Sequence, residues 1–241
     1  RTSGGAVRPG MRPPAGPAAP RMSLMDSVRV FLSRPTLCLL LLASGLASFV
    51  SNGMLNWIPA YLMRVQHMPL AEVARWFGPA AGICMGLGIW GGGALVNWAG
   101  RHSLKAYAYV PGLAMLVCAP TLALALNAAS WQASLALMLV PMICCTSFVA
   151  PAPALVQNLS PVTARATATA LLLLSFNIVG LGGGPLAVGM LSDMLGKAEV
   201  ADPLRFALMA LAPVGLVGAL TYFAVSRVIT ADTDAVHRER A

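Results

Sequence analysis

Four polar residues stand at four-residue intervals inside one apolar run: Ser44, Ser48, Asn52 and Asn56. Residues four apart share a slowly winding face of an α-helix, so they make a stripe of hydroxyls and amides, which Ser51 widens. Such groups do no covalent chemistry unaided; they donate and accept hydrogen bonds. Trp57 and Tyr61 follow near the end of the same run. Thr167, Thr169, Ser175 and Asn177 run through a second apolar stretch, and Thr146 and Ser147 stand in a third. Facing lipid, these groups would be costly, so they face protein or a water-filled cavity. Either they bond helix to helix, at below about 1 kcal/mol per contact on average, or they wall a space that holds a solute. Asn52, Asn56, Trp57, Tyr61, Thr146, Ser147, Ser175 and Asn177 are the cavity candidates. Ser44 fits the bonding role better.

Catalytic chemistry finds no support. The sequence has no nucleophile–base pair, no metal cluster and no phosphate loop, so the chain does not read as an enzyme and implies no cofactor or metal. The glycine triplets Gly91–Gly93 and Gly182–Gly184 lie inside apolar stretches, without the strand-to-helix setting of a nucleotide loop. Cys38, Cys84, Cys118, Cys144 and Cys145 all fall within apolar stretches and lack metal-ligand spacing, as expected of small buried hydrophobes.

The elements that carry these residues are long and oily. Pro35–Met63, Trp76–Gly100, Ala106–Ala164, the stretch between Arg165 and Asp193, and Phe206–Ser226 hold no charged side chain. A bilayer core of about 30 Å needs about 20 apolar helical residues, and Ala106–Ala164 suffices for two crossings with Asn127–Ser130 as the polar turn between them. The expectation is six transmembrane helices near 36–62, 73–98, 105–126, 131–155, 165–191 and 204–227. The composition agrees: 58% hydrophobic and 10% charged, against about a quarter charged in soluble domains, with a mean hydropathy of +0.75. Residues 1–34 read as a disordered Pro-rich linker ending in a short amphipathic helix, 35–228 as the transmembrane bundle, and 229–241 as a cytoplasmic tail. Beginning at Arg1 rather than Met, the chain reads as a fragment of a longer protein.

The net charge of +8 follows membrane topology rather than nucleic acid, since the cations sit in loops and tails with no interleaved aromatics. With the N-terminus inside, the inner segments carry twelve Lys and Arg and the outer ones four (Arg64, Arg75, Lys197, Arg205). The positive-inside rule therefore places both ends of this segment in the cytoplasm. No Asp, Glu, Lys, Arg or His lies mid-span, so these helices offer no intramembrane proton relay.

The chain also repeats itself. Gly93-Ala-Leu95-Val-Asn97-Trp-Ala-Gly100 and Gly189-Met-Leu191-Ser-Asp193-Met-Leu-Gly196 share the pattern G-x-L-x-[N/D]-x-x-G, each following a glycine triplet. The offset (189 − 93 = 96) is three helices, and an odd number of crossings inverts the second copy. Inverted triplets of this kind are a mark of secondary transporters. Gly182-Gly-Gly184-Pro185 should weaken or kink its helix, because Pro185 lacks an N–H. That makes Gly184 and Pro185 hinge candidates. The glycine rows Gly78–Gly82–Gly86 and Gly88–Gly92 should be packing ridges.

Taken together, residues 22–230 resemble the C-terminal half of a major facilitator superfamily transporter. The resemblance is carried by Gly93, Leu95, Gly100 and Arg101 of that superfamily's G-x-L-x-D-x-x-G-R-R loop motif, with Asn97 in place of the acid and His102 in place of the second basic residue. Trp57-Ile-Pro59-Ala-Tyr61, Gln157-Asn-Leu-x-Pro161 with Arg165-Ala-Thr-Ala, and Asn177-Ile-Val-Gly180 through Asp193 are similar to the spinster-like branch. The resemblance implies an all-α bundle of six helices in a 3+3 inverted repeat, an N-terminal half as partner, and a small or lipid-like solute moved by alternating access. It also implies a cytoplasmic gate with Gly93, Asn97, Gly100, Arg101 and Arg165, and Asp193 as the repeat-related acid. The alternatives are an organic-anion:proton symporter of the same superfamily and a six-helix membrane scaffold that transports nothing.

Overall fold

A computed structural model describes residues 24–240, so the linker expected before Leu24 lies outside the described residues. Helix α1 (Leu24–Leu32) is the short amphipathic helix expected ahead of the first span; it turns Phe31 inward and leaves Met25 and Leu32 exposed. The elements that follow are α2 (Pro35–Arg64), α3 (Leu70–Gly100), α4 (Ala106–Leu126), α5 (Trp131–Cys144), α6 (Pro151–Leu159), α7 (Arg165–Lys197), α8 (Pro203–Met209) and α9 (Leu211–Arg240). Prolines open several of them, at positions where a missing N–H costs nothing: Pro35, Pro151 and Pro203. Ser130 caps α5 by accepting from the Ala133 N–H at 3.3 Å. The last helix runs unbroken to Arg240, through the segment read as a tail.

Among the described residues, five helices are long and apolar enough to cross a membrane, and α5 is a shorter apolar helix. The fourth crossing thus departs from the continuous 131–155 helix expected. It stops at Cys144, proceeds through turns, and restarts at Pro151. Across the turns the backbone tightens to bonds such as Ser147 N–H to Cys144 O (3.3 Å) and Val149 N–H to Thr146 O (3.2 Å). Irregular backbone at membrane depth must find internal partners, and the side chains supply them. Thr146 Oγ1 donates to the carbonyl of Ile143 at 3.2 Å, with those of Met142 and Met85 at 3.4 Å, and Ser147 Oγ donates to Cys144 O at 2.8 Å.

The Gly182–Pro185 run is expected to weaken or kink α7. The helix stays continuous and widens instead, with a π-helical segment over Phe176–Gly183 before the α-helix resumes at Gly184. A π segment shifts the bonding register; at its start the Ser48 hydroxyl of α2 donates to the Phe176 carbonyl at 3.1 Å.

Helix α2 is the centre of the bundle and packs on α7 and α9, while α4 lies between α9 and α5 and α3 lies against α5. The inverted repeat is visible in the packing itself. Gly88 of α3 sits against Ile143 and Thr146 on α5 and the turns after it, and Gly184 of α7 sits against Phe49 and Gly53 of α2. These two glycines are one repeat apart (184 − 88 = 96), and each lets its helix touch the first helix of the other triplet. Of the expected glycine ridges, Gly88 and Gly92 do pack, whereas Gly78, Gly82 and Gly86 meet nothing within 4 Å.

Candidate functional site

Two neighbouring rows of α2 divide the work. Gly45, Phe49, Gly53 and Trp57 form the row against α7: Gly45 touches Ser175, Gly53 touches Gly184, and the Trp57 ring lies on Gly189. The Trp57 indole N–H also donates to Pro185 O at 2.9 Å. One residue back, about 100° round the helix, runs the polar row. Its first half is consumed in packing. Ser44 Oγ pairs with Tyr222 Oη of α9 at 3.0 Å, both fully buried, and Ser48 holds the π segment.

The second half of that row is open. Asn52 is half-buried and Asn56 exposed. Each amide N–H donates back to the carbonyl four residues earlier, Asn52 to Ser48 O and Asn56 to Asn52 O, both at 2.9 Å. Asn52 Nδ2 also lies 3.2 Å from Ser48 Oγ. Asn177 repeats the device on α7, donating to Leu173 O at 2.7 Å while exposed. It follows Phe176, whose carbonyl meets Ser48, and Asn52 lies one turn above Ser48. Along the α2–α7 contact Gly45 meets Ser175 and Val179 while Gly53 meets Gly184, so Asn177 stands about two turns from Asn52, on the neighbouring helix. An asparagine amide has two N–H donors and an oxygen with two acceptor lone pairs; with one N–H of each turned back on the backbone, the three oxygens and the second N–H of Asn56 and of Asn177 are left for a ligand. The Phe148–Phe176 edge-to-face pair, centroids 5.2 Å apart, joins the turns after α5 to the same part of α7.

The other cavity candidates sit elsewhere. Tyr61 is fully buried and ties helix ends together, donating to Leu126 O at 2.9 Å and receiving Gln66 Nε2 at 2.9 Å. Thr146 and Ser147 are buried in the α3–α5 junction, satisfying the turns described above. Ser175 bonds Leu41 O at 3.4 Å within the α2–α7 contact. Trp57, half-buried, is committed to Pro185. Their polar groups bond to backbone carbonyls, and only Trp57 and Ser175 among them lie in the α2–α7 contact.

The gate candidates divide by end. Gly93 approaches Ala150, at 3.4 Å from a Cβ placed on it, and Gly100 approaches Tyr107 likewise. Asn97 and Arg101 are exposed on the last turn of α3 and beyond it, and neither side chain has a polar partner among the described residues. Arg165 is half-buried and its Nε donates to Ser160 O at 3.4 Å, closing the turn between α6 and α7 rather than reaching Asn97. Asp193 is exposed near the end of α7, at the opposite end of the bundle from Asn97. At that end lies a cluster the sequence reading missed: Gln66 bonds Ala128 O at 3.1 Å, and Arg205 bonds Asn127 Oδ1. With Tyr61 this ties α2, α4 and α8 together. Its one sequence signal was an Arg two residues after Pro203, facing a polar turn.

No protein-family model matches the chain. It is 31% identical over 196 residues to an MFS-type efflux pump of Mycolicibacterium smegmatis, an alignment covering 81% of this chain and 46% of that protein. Its fold matches a bacterial homologue of the human lysosomal transporter Spinster, in the inward-facing unoccupied conformation, with a TM-score of 0.79 at 22% identity over 92% of this chain and 54% of that one. The occupied inward-facing conformation matches with a TM-score of 0.71. The chain spans about half the length of the relatives it matches.

Proposed function

This chain is a major facilitator superfamily protein with a spinster-like fold, and from that premise we propose that it is the C-terminal six-helix half of a secondary active transporter. In this reading it works with an N-terminal half by alternating access, in a bacterial inner membrane, with both ends of the segment cytoplasmic. The solute is a small organic or lipid-like molecule that carries hydrogen-bond donors. The observation that carries the reading is the set of three asparagines, Asn52, Asn56 and Asn177, each of which turns an N–H back on its own helix and keeps its oxygen without a bond among the described residues. A neutral acceptor surface in an apolar wall suits an amphipathic solute bearing hydroxyl or ammonium groups. Asp, Glu, Lys, Arg and His are confined to span ends, so an ion-coupling side chain, if the carrier uses one, belongs to the other half.

The test is transport by the full-length protein in proteoliposomes, with ethidium and a fluorescent lysophosphatidylcholine as probes. Asn52→Leu with Asn56→Leu removes two acceptors. At about 1 kcal/mol per hydrogen bond, the double variant should cut kcat/KM for the transported probe roughly 30-fold. Wild-type kcat/KM in that variant refutes the acceptor wall. Movement of neither probe by the wild type refutes the solute class.

A further inference from the structure

A second apolar feature lies away from the asparagines, between α3 and α4. A groove of about 400 Å³ runs between Leu87, Gly91 and Leu95 on α3 and Val110, Leu113 and Val117 on α4, with α5 as its floor. Its origin is geometric. Gly88 and Gly92 draw α3 onto α5 and the turns after it, and α4 is held by α5 and α9, so the outer edges of α3 and α4 part above α5. Gly91 has nothing within 4 Å of where a Cβ would stand.

The groove points toward cations. From Leu95 to Arg101 is six helical residues and from Val110 back to Lys105 is five, about 9 Å and about 7.5 Å at 1.5 Å per residue. The interfacial zone outside the hydrocarbon core is about 5–8 Å deep on each side. The groove's lower end therefore lies at the hydrocarbon border when Arg101 and Lys105 stand at phosphate level. Trp98 is exposed and stacks edge-on with His102, centroids 6.4 Å apart, and half-buried Tyr107 packs on Gly100. These amphipathic rings occupy the level where Trp and Tyr prefer to sit. From Asn97 to Tyr109 the chain holds Arg101, His102 and Lys105 and no acid, while Glu72, Asp193, Glu199 and Asp202 lie at the other end of the bundle.

We propose that this groove is a binding site for one anionic phospholipid, with an acyl chain along α3 and α4 and its phosphate between Arg101 and Lys105. Basic sites between transmembrane helices on the cytoplasmic side recognise anionic headgroups, and each Lys or Arg near the surface contributes about fivefold in affinity. An acyl chain fills a cleft that no side chain enters, and charge complementarity selects the headgroup. The site is separate from the α2–α7 face and does not depend on what, if anything, is transported.

The experiment is native mass spectrometry of the full-length protein titrated with dioleoyl phosphatidylglycerol or dioleoyl phosphatidylcholine. One phosphatidylglycerol should be retained at least tenfold more tightly than phosphatidylcholine. Lys105→Gln should weaken it about fivefold, and Arg101→Gln with Lys105→Gln about 25-fold, with phosphatidylcholine unchanged. Gly91→Phe sets its Cβ in open space, puts its ring in the path of the acyl chain and should abolish the tight adduct. Equal retention of the two lipids, or charge variants that bind like wild type, overturns the headgroup site. Undiminished binding by Gly91→Phe overturns the groove as the seat of the acyl chain. Absence of any tight lipid on the wild type, as when a further segment of protein covers the groove, overturns the proposal outright.

Discussion

The contact between Ser48 and Gly180 is the tightest test of how α2 holds α7. A Cβ added at Gly180 would overlap Ser48 Oγ, lie 2.6 Å from Ser48 Cβ and 3.0 Å from the Ser48 carbonyl carbon. The last of these is backbone and cannot rotate away, so Gly180→Ala forces the helices apart or bends one of them. Overpacking of this kind costs about 1–3 kcal/mol. Separation also strains the 3.1 Å bond from Ser48 to the Phe176 carbonyl, worth about 0.6 kcal/mol on average for a bond between membrane helices. Against these stands the better helix propensity of alanine, about 1 kcal/mol. The net is a loss between about 0.5 and 3 kcal/mol. Gly182, two residues on, meets only Asn177 O at 3.5 Å, an ordinary contact, so Gly182→Ala should be neutral or stabilising by up to about 1 kcal/mol. Equilibrium unfolding in mixed micelles measures both. Ser48→Gly in the Gly180→Ala background removes the Oγ and Cβ overlaps and should recover part of the loss, giving a positive coupling in a double-mutant cycle. If Gly180→Ala and Gly182→Ala unfold alike, or the cycle shows no coupling, the close approach is not what joins these helices.

Three further outcomes follow from named contacts. Thr146→Val, which keeps the shape but deletes the hydroxyl serving the Ile143 and Met142 carbonyls, should destabilise by about 1–2 kcal/mol in the same assay, whereas Thr121→Val, at an exposed hydroxyl bonded within α4, should cost less than half of that. Tyr61→Phe should loosen the α2–α4 junction by about 1–2 kcal/mol, because it removes the donor to buried Leu126 O and the acceptor for Gln66; hydrogen exchange should speed up at Asn127–Ser130 before any other turn. Asn97→Asp places an acid one helical turn before Arg101 and should shift the carrier toward the outward-facing state, read as faster labelling of Asn56→Cys from the outside by an impermeant maleimide, and equal labelling rates in both backgrounds would refute a latch at this position.

Hydropathy alone determined that this chain is a bundle of membrane helices and roughly where each begins, because burial in lipid demands long uncharged runs and tolerates charge only at their ends. The inverted repeat was legible too: Gly93 and Gly189 keep their spacing because each closes an equivalent helix. What only the tertiary structure decided is which polar groups are free. Ser44, Ser48, Asn52 and Asn56 look equivalent along the chain, yet Tyr222 and the Phe176 carbonyl take the first two and leave the last two open, since α7 follows the neighbouring Gly45–Trp57 row and bonds to the polar row at Ser48. Thr146 and Ser147 also serve carbonyls beside the break in the fourth crossing, and Tyr61 serves a distant helix end. Spacing records which face of a helix a group is on. Whether a carbonyl from another helix has come within 3 Å of it depends on crossing angles and breaks, which are set by contacts far apart in the chain.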